Sequence, residues 1–464
     1  MTNEASIQHD VESRFGMRLE SNKLRDVARL AHEISVRERV SPHEILEEAQ
    51  KELDLRRYSP RDAFVALRRV LIARRFPETS ARISIPPSEV YSSPLPPLPA
   101  PESGRFAEFR PAQIYMESSV RKSDLARRVR ERYPDTPLTT LKSLREYSRT
   151  HRFSPLNVKT PLLFLVREPW DFHKPCPCTK SHVRCGYWIL NLGFGCPYDC
   201  SYCFLQHYAN VPGIILPANV SDFFERFDSF LRTRPGPLRL GTGEFCDSLA
   251  LDPLTEYSLQ LIPYFRAKPD VYFEFKTKSA CIDNILRMSP ADNIVISWSL
   301  NPPDITAHEE PGTASLDARL EAARKVRQAG YRIAFHFDPL IHMPGWETEY
   351  RALVSKLYSY LRPPFAWISL GTLRAHRKIK SIWEQRFPES TLFYGELLLG
   401  GDGKLRYPEF IRRQIYAKMR EWLREKDGTT PVYLCMETQK MWRECIGEVR
   451  TPEEISGFLT GNNP

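Results

Sequence analysis

From Leu162 onward the chain alternates short apolar runs with longer amphipathic ones, and few folds accept that order. Runs of strand length fall at Tyr187–Leu192, Leu238–Thr242, Val271–Lys276, Ile294–Leu300, Arg332–Asp338 and Ala366–Leu370. Helical runs follow most of them, at Val220–Leu231, Pro253–Phe265, Ser315–Gly330 and Trp346–Leu361. Strands separated by helices of this length pair in parallel. The class is therefore α/β, either an open doubly wound sheet or a full or partial (β/α) barrel. In each of these the functional groups gather at the C-terminal ends of the strands.

The segment after the first of these strands, Gly195–Gln206, holds Cys196, Cys200 and Cys203 in a C-x3-C-x2-C spacing. Thiolates are soft ligands suited to iron–sulfur clusters or zinc, and a turn this short aims three of them at one centre. A structural site closes every position, whereas three protein ligands leave one open for substrate or cosubstrate. Two readings stand beside an open iron–sulfur site. One is zinc closed by His207 as a fourth ligand, and the other is a set of buried core thiols.

Six of the ten cysteines lie between Cys176 and Cys203, which is not how a disulfide framework is distributed. A reducing compartment keeps such thiols free for metal. No apolar run reaches the ~18 residues of a membrane span, and the first residues lack the basic and apolar regions of a signal peptide. A cytoplasmic protein without a membrane partner is expected. The formal charge of +9 over 464 residues fits an anionic partner such as nucleic acid, although charge by itself is weak evidence.

Residues 1–80 read as a charged helical module. Ser41-Pro42 and Ser59-Pro60 are helix starts, and Arg68–Arg75 is a basic cluster that is either a solvated face or a nucleic-acid contact. Residues 81–107 are proline-rich and read as a stiff linker. Residues 108–464 read as one larger domain, which opens with a strand near Arg110–Met116 and a basic helix near Lys122–Tyr133.

The cysteine spacing, with the aromatic Tyr202 just before the last cysteine, resembles the radical S-adenosylmethionine superfamily. The resemblance implies a 4Fe–4S cluster on Cys196, Cys200 and Cys203 whose free iron binds the amino and carboxylate groups of S-adenosylmethionine. One electron then releases a 5′-deoxyadenosyl radical, so a donor such as flavodoxin or ferredoxin is an implied partner. It also implies that Gly243 and Glu244 meet the methionine amine, and that Lys278, Ser299 and Asn301 serve its carboxylate. Each of these residues ends a successive strand candidate, which supports the assignment.

Further motifs narrow the resemblance. Cys200–Gln206, Phe275–Lys278, Ser299–Asn301, Glu310–Thr313, Arg319–Ala323, Ala329–Tyr331, Pro339–Ile341 and Gly345-Trp346 are similar to the spore photoproduct lyase family, from about Phe109 to the chain end. That family implies a partial (β/α) barrel of the radical S-adenosylmethionine type, here with a small N-terminal helical domain. Its activity is carbon–carbon lyase repair of a methylene-bridged thymine dimer in DNA. Two positions depart from its pattern. Counting back from Leu251–Thr255 puts the family's hydrogen-donating cysteine on Glu244, whereas this chain has Cys246. A tyrosine of the same hydrogen-return path is Phe204 here, although Tyr202 is kept.

Cys176, Cys178 and Cys185, near His173 and His182, are a candidate second metal site for an auxiliary iron–sulfur cluster or zinc, or a loop of structural thiols. Cys281, Cys435 and Cys445 are further candidate ligands. Gly400–Gly403 signals a hairpin that would present Lys404, Arg406 and Tyr407 to DNA or be an ordinary solvated turn, with Arg374, His376, Arg377, Lys378 and Lys380 as a second basic run. Two other functions remain open. One is a radical enzyme acting on RNA, a peptide or a small molecule, and a substrate affinity insensitive to salt would speak against nucleic acid. A non-enzymatic metal-bound nucleic-acid-binding protein would hold zinc. Oligomeric state is not legible.

Overall fold

The computed structural model describes residues 3–54, 56, 58–96, 109–168, 172–179, 182–234, 236–447 and 450–460. The chain divides into two compact units. One comprises Met1–Pro101 and Arg374–Arg412, and the other Glu102–Leu373 and Arg413–Pro464.

The first unit is built on α1 (Glu4–Phe15), α2 (Ser21–Glu38), α3 (Pro42–Glu52) and α4 (Pro60–Arg75). Ser41 and Ser59 cap α3 and α4 as expected, and Ser41 forms a reciprocal capping box with Glu44. Val11, Val27, Ile34, Ile45, Leu67 and Leu71 form its core. Beside that core lies a buried ionic cluster. Arg29 Nε and Arg75 Nε each donate to Glu33 at 2.6 Å, Arg29 Nη1 donates to Glu384 at 3.2 Å, and Lys380 pairs with Glu33.

These pairings correct three expectations. Arg75 is buried, Arg68 pairs with Asp26 and Arg74 with Glu38, so much of the basic cluster of α4 is neutralised within the unit. Lys380 is no surface cation, since burial pushes its amine down to about 8. The first part of the proline-rich stretch packs instead of spanning, with Ile85 in the helical core and Val90 and Leu95 against it. Its prolines at 97, 99 and 101 lie outside the described residues.

The second unit opens with β1 (Gln113–Glu117), β2 (Leu138–Leu141) and β3 (Leu162–Val166), then β4 (His173–Pro175), β5 (Tyr187–Leu190) and β6 (Ile214–Pro217). It continues through β7 (Leu238–Gly241), β8 (Val271–Thr277), β9 (Ile294–Ser299), β10 (Arg332–Leu340) and β11 (Ile368–Thr372). The strands β12 (Arg374–His376), β13 (Leu398–Leu399) and β14 (Lys404–Arg406) belong to the first unit, and β15 (Val432–Leu434) returns to the second.

A parallel sheet orders β2-β1-β3-β6, and a curled eight-stranded sheet orders β15-β11-β10-β9-β8-β7-β5-β4. The eight-stranded sheet is parallel apart from β4, which turns back against β5. This is the partial-barrel outcome of the βα alternation. The helix expected over Pro253–Phe265 is two, Asp252–Thr255 and Tyr257–Arg266, because Glu256 takes a left-handed φ of 51° between them.

Strands buried on both faces read as apolar runs, yet this sheet carries a layer of buried polar groups. Arg239 lies among the rings of Tyr187, Trp367 and Tyr433, 4.4 Å from the Trp367 centroid. His336 Nε2 meets Glu274 Oε1 at 2.6 Å. Burial opposes the charge on Glu274, but His336 and Arg239 outweigh it and hold the carboxyl at about 2. A depressed carboxyl stabilises the fold above its unfolded value of 4.5, and that stability is lost as pH falls through 2. Glu274→Gln is expected to cost about 3 kcal/mol at neutral pH and to flatten the acid limb of stability. Urea midpoints followed from pH 7 to pH 3 check this, and an unchanged acid limb would remove Glu274 as its source.

Candidate active site

The cysteine loop is pinned from several directions. Phe194 bridges to Ile215 on β6, and Gly195 N donates to Phe245 O at 2.9 Å. Gly195 sits at φ +92°, where a Cβ would come within 2.4 Å of Gly213 O, so only glycine fits. Asp199 N donates to Pro311 O at 3.0 Å and Ser201 N to Glu309 O at 2.9 Å, a short ladder against the segment after Pro303–Glu309. Lys159, in the turn before β3, donates from Nζ to Cys196 O at 2.8 Å and to Tyr198 O.

The three thiols come together at the C-terminal side of β5. Cys200 is buried while Cys196 and Cys203 are partly exposed. Burial pushes each thiol up, and neighbouring cysteines add to the rise at Cys196 and Cys200, whereas Lys159 pulls Cys196 and Cys203 the other way and Lys278 does so at Cys200 and Cys203. Among the described residues, no three Cys, His, Asp or Glu side chains close on a single ion. The Cys3His zinc arrangement with His207 is therefore not formed. A 4Fe–4S cube asks for something else, with each thiolate on its own iron at a separate corner. Three neighbouring thiols without a common point fit that donor set.

Two of the strand-end residues, Asn301 and Lys278, act on one buried carboxylate. Glu310 accepts from Tyr202 Oη, from Asn301 Nδ2 at 2.9 Å and from Arg319 Nη2 at 2.6 Å. Burial raises Glu310, but Arg319 and then Lys278 overcome this and keep it ionised. Lys278 Nζ lies 5.9 Å from the Tyr202 ring centroid. Asn301 is committed at both ends, since its Oδ1 also accepts from Tyr350 Oη at 2.9 Å. Ser299 differs, because its Oγ is buried with no hydrogen-bond partner. An orphaned hydroxyl in a buried polar site marks a place for a ligand atom or water.

The loop after β7 divides the two positions that compete for the hydrogen donor. Asp247 docks it to the end of β8, accepting from Thr277 Oγ1 at 2.6 Å and Lys278 N at 2.7 Å. Cys246 follows Phe245, whose ring stacks on Phe194 with centroids 5.8 Å apart, and its thiol is pushed up by burial and then by Cys196. Glu244 instead acts on Cys176 and Lys276. Cys246 adjoins the cysteine loop through Cys196. Gly243 has a backbone reason of its own, since a Cβ there would meet Lys276 O at 2.7 Å.

Cys176 and Cys178 share a hydrogen bond at the β4–β5 hairpin, with Cys185 and Glu244 near. No single-ion site forms there among the described residues. Two of the three hairpin residues expected to face nucleic acid are buried. Tyr407 is 2% exposed and Arg406 6%, with Arg406 Nη2 held by Asp402 at 2.7 Å. Of the three, only Lys404 is partly exposed, and the solvent-facing tip is Gly401–Gly403. Sequence reasoning gave no role to Lys159, Asp247, Glu310 or Arg319. Glu310 and Arg319 stood in quoted motifs nine residues apart, which was the available signal.

The family model for spore photoproduct lyase matches residues 109–397, more than half of the chain. The chain belongs to the spore photoproduct lyase family. As a member it is a lyase-type enzyme. It is 29% identical over 278 residues to the spore photoproduct lyase of Geobacillus sp., covering 58% of this chain and 80% of the relative. It is 26% identical over 295 residues to that of Bacillus subtilis, covering 61% and 84%. A solved cysteine-to-alanine mutant of spore photoproduct lyase with dinucleoside spore photoproduct superposes with a TM-score of 0.62 at 24% identity. That match covers 70% of this chain and 99% of the solved one. Another solved mutant, with bound AdoMet and dinucleoside spore photoproduct, gives 0.60 at the same identity and coverage. Among the described residues no helix is long and apolar enough to cross a membrane.

Proposed function

We propose that this member of the spore photoproduct lyase family is a cytoplasmic radical enzyme acting on a damaged or modified base in DNA. Cys196, Cys200 and Cys203 would hold a 4Fe–4S cluster, with Lys278, Ser299 and the Gly243-Glu244 turn serving S-adenosylmethionine. Once bound and reduced by a one-electron donor such as flavodoxin or ferredoxin, the pair supplies a 5′-deoxyadenosyl radical able to abstract hydrogen from carbon. The observation that carries this reading is the set of three neighbouring thiols with Lys278 and Glu310 acting on Cys200, together with a buried, unpartnered Ser299 hydroxyl.

The chain's own residues then set the outcome. Cys246 is assigned as the hydrogen donor, because a thiol must keep its proton to give up a hydrogen atom. Burial and the adjacent Cys196 keep it protonated. Tyr202 is tied to Glu310 and acts as a bracket for the cysteine loop, so Phe204 leaves no second phenol directly after Cys203. Asn301 positions Glu310.

The decisive assay uses anaerobically reconstituted, dithionite-reduced protein with S-adenosylmethionine, and measures 5′-deoxyadenosine with and without ultraviolet-damaged DNA. A yield that rises with damaged DNA is expected. A yield indifferent to DNA would move the substrate to RNA, a peptide or a small molecule. No product from fully loaded protein would sink the radical-enzyme reading.

A further inference from the structure

We infer that Lys159 raises the reduction potential of the cluster from the face turned away from the cosubstrate, an inference that rests on the cluster reading of the cysteine triad. Lys159 is not among the strand-end residues. It lies in a turn fixed by Thr160 N to Asn157 O at 3.0 Å and by Gly213 N to Val158 O at 3.0 Å. From there its ammonium reaches the carbonyls of Cys196 and Tyr198, with Asp199 Oδ1 3.9 Å away as its facing carboxylate.

The charges around the triad divide by side. Lys278 acts on Cys200 and Cys203, next to Glu310. Lys159 acts on Cys196 and Cys203, next to Asp199, with Asp247 also felt at Cys196. A cavity partly open to solvent is lined by Lys159, Cys196, Cys203 and Asp199, but by neither Lys278, Ser299 nor Glu244. Lys159 thus stands on the outer face of the loop.

The physical consequence follows from charge. A single electron arriving from a low-potential carrier adds one negative charge to the cluster, and no bond at Lys159 changes. A fixed cation beside two of the three thiolates favours the reduced form, more strongly in a partly buried setting than in water. The plain alternative is that Lys159 only braces two carbonyls, which any donor of similar reach would do.

Three variants separate these roles. Lys159→Gln keeps an N–H donor without the charge, Lys159→Arg keeps the charge, and Lys159→Met removes both. The readout is the midpoint of cluster reduction, followed by electron paramagnetic resonance at poised potentials on protein with its iron content matched to wild type. The expected result is a reduction equilibrium about tenfold less favourable in Lys159→Gln and Lys159→Met, which for one electron is about 59 mV more negative, with Lys159→Arg close to wild type. Should Lys159→Met fail to take up iron, the Gln and Arg variants decide. A fully loaded Lys159→Gln protein with the wild-type midpoint would overturn the inference and leave the cluster intact. A wild-type protein that assembles no cluster would overturn the cluster reading as well.

Discussion

Cys203→Ala protein is expected to fold as wild type, to retain iron at least ~100-fold less well, and to make no 5′-deoxyadenosine above background. Loss of an outer partner of a metal site costs about 10–100-fold in affinity, and loss of a ligand costs more. The fold should be indifferent because the loop's shape at this point comes from the backbone. Cys203 N donates to Cys200 O at 3.0 Å, and Gln206 Nε2 donates to Ser201 O at 2.7 Å. Neither bond involves the Cys203 sulfur. Iron analysis, the visible charge-transfer band and the thermal midpoint together check the prediction. Iron retained at parity would remove Cys203 from the ligand set, and a collapsed thermal midpoint would show the thiol to be a core group.

Glu310→Gln is expected to cost about 3–5 kcal/mol of stability, because it leaves the Arg319 guanidinium buried with its charge unmatched. Both side chains of the pair are fully buried, at 0% exposure, and 2.6 Å apart. The same carboxylate receives Tyr202 from the cysteine loop and Asn301 from the end of β9. The substitution should therefore also loosen the loop and reduce iron retention. The double variant Glu310→Gln with Arg319→Met should recover part of the stability, since a neutral pair replaces an orphaned charge. Its iron retention should not return, because Tyr202 still lacks a charged acceptor. Denaturant midpoints and iron content measured on the same samples test this. A single variant within ~0.5 kcal/mol of wild type would show that the charge is matched elsewhere.

What was legible in the sequence lies within short stretches. Short apolar runs and period-3.6 patterns marked β7 to β10 and their helices to within a few residues, because strand and helix geometry is decided locally. The cysteine spacing announced a thiol-ligand site for the same reason, since eight residues contain all three donors. Ser41-Pro42 and Ser59-Pro60 marked helix starts because a cap is satisfied three residues away.

The misreadings came where burial decides. Gly400–Gly403 correctly signalled a turn, but nothing near it says that Arg406 will be clamped by Asp402 or that Tyr407 will be covered. Lys380 looked like one cation of a basic run until Glu33 was found against it. The pairing of Arg29 with Glu384 joins residues 355 positions apart, and no local pattern encodes it. Lys159 and Cys196 are 37 positions apart and meet only because β3 and β6 bring their loops together.

The sequence by itself determined the class of fold, the thiol donor set and the row of strand-end candidates, because each depends on residues close enough to impose geometry on one another. The choice of a partial barrel over an open sheet, the approach of Cys246 to Cys196, and the role of Glu310 as the hub that joins Tyr202, Asn301 and Arg319 came from long-range packing. Those outcomes turn on which distant side chains share a dry interior, where a charge without a partner is too costly to keep.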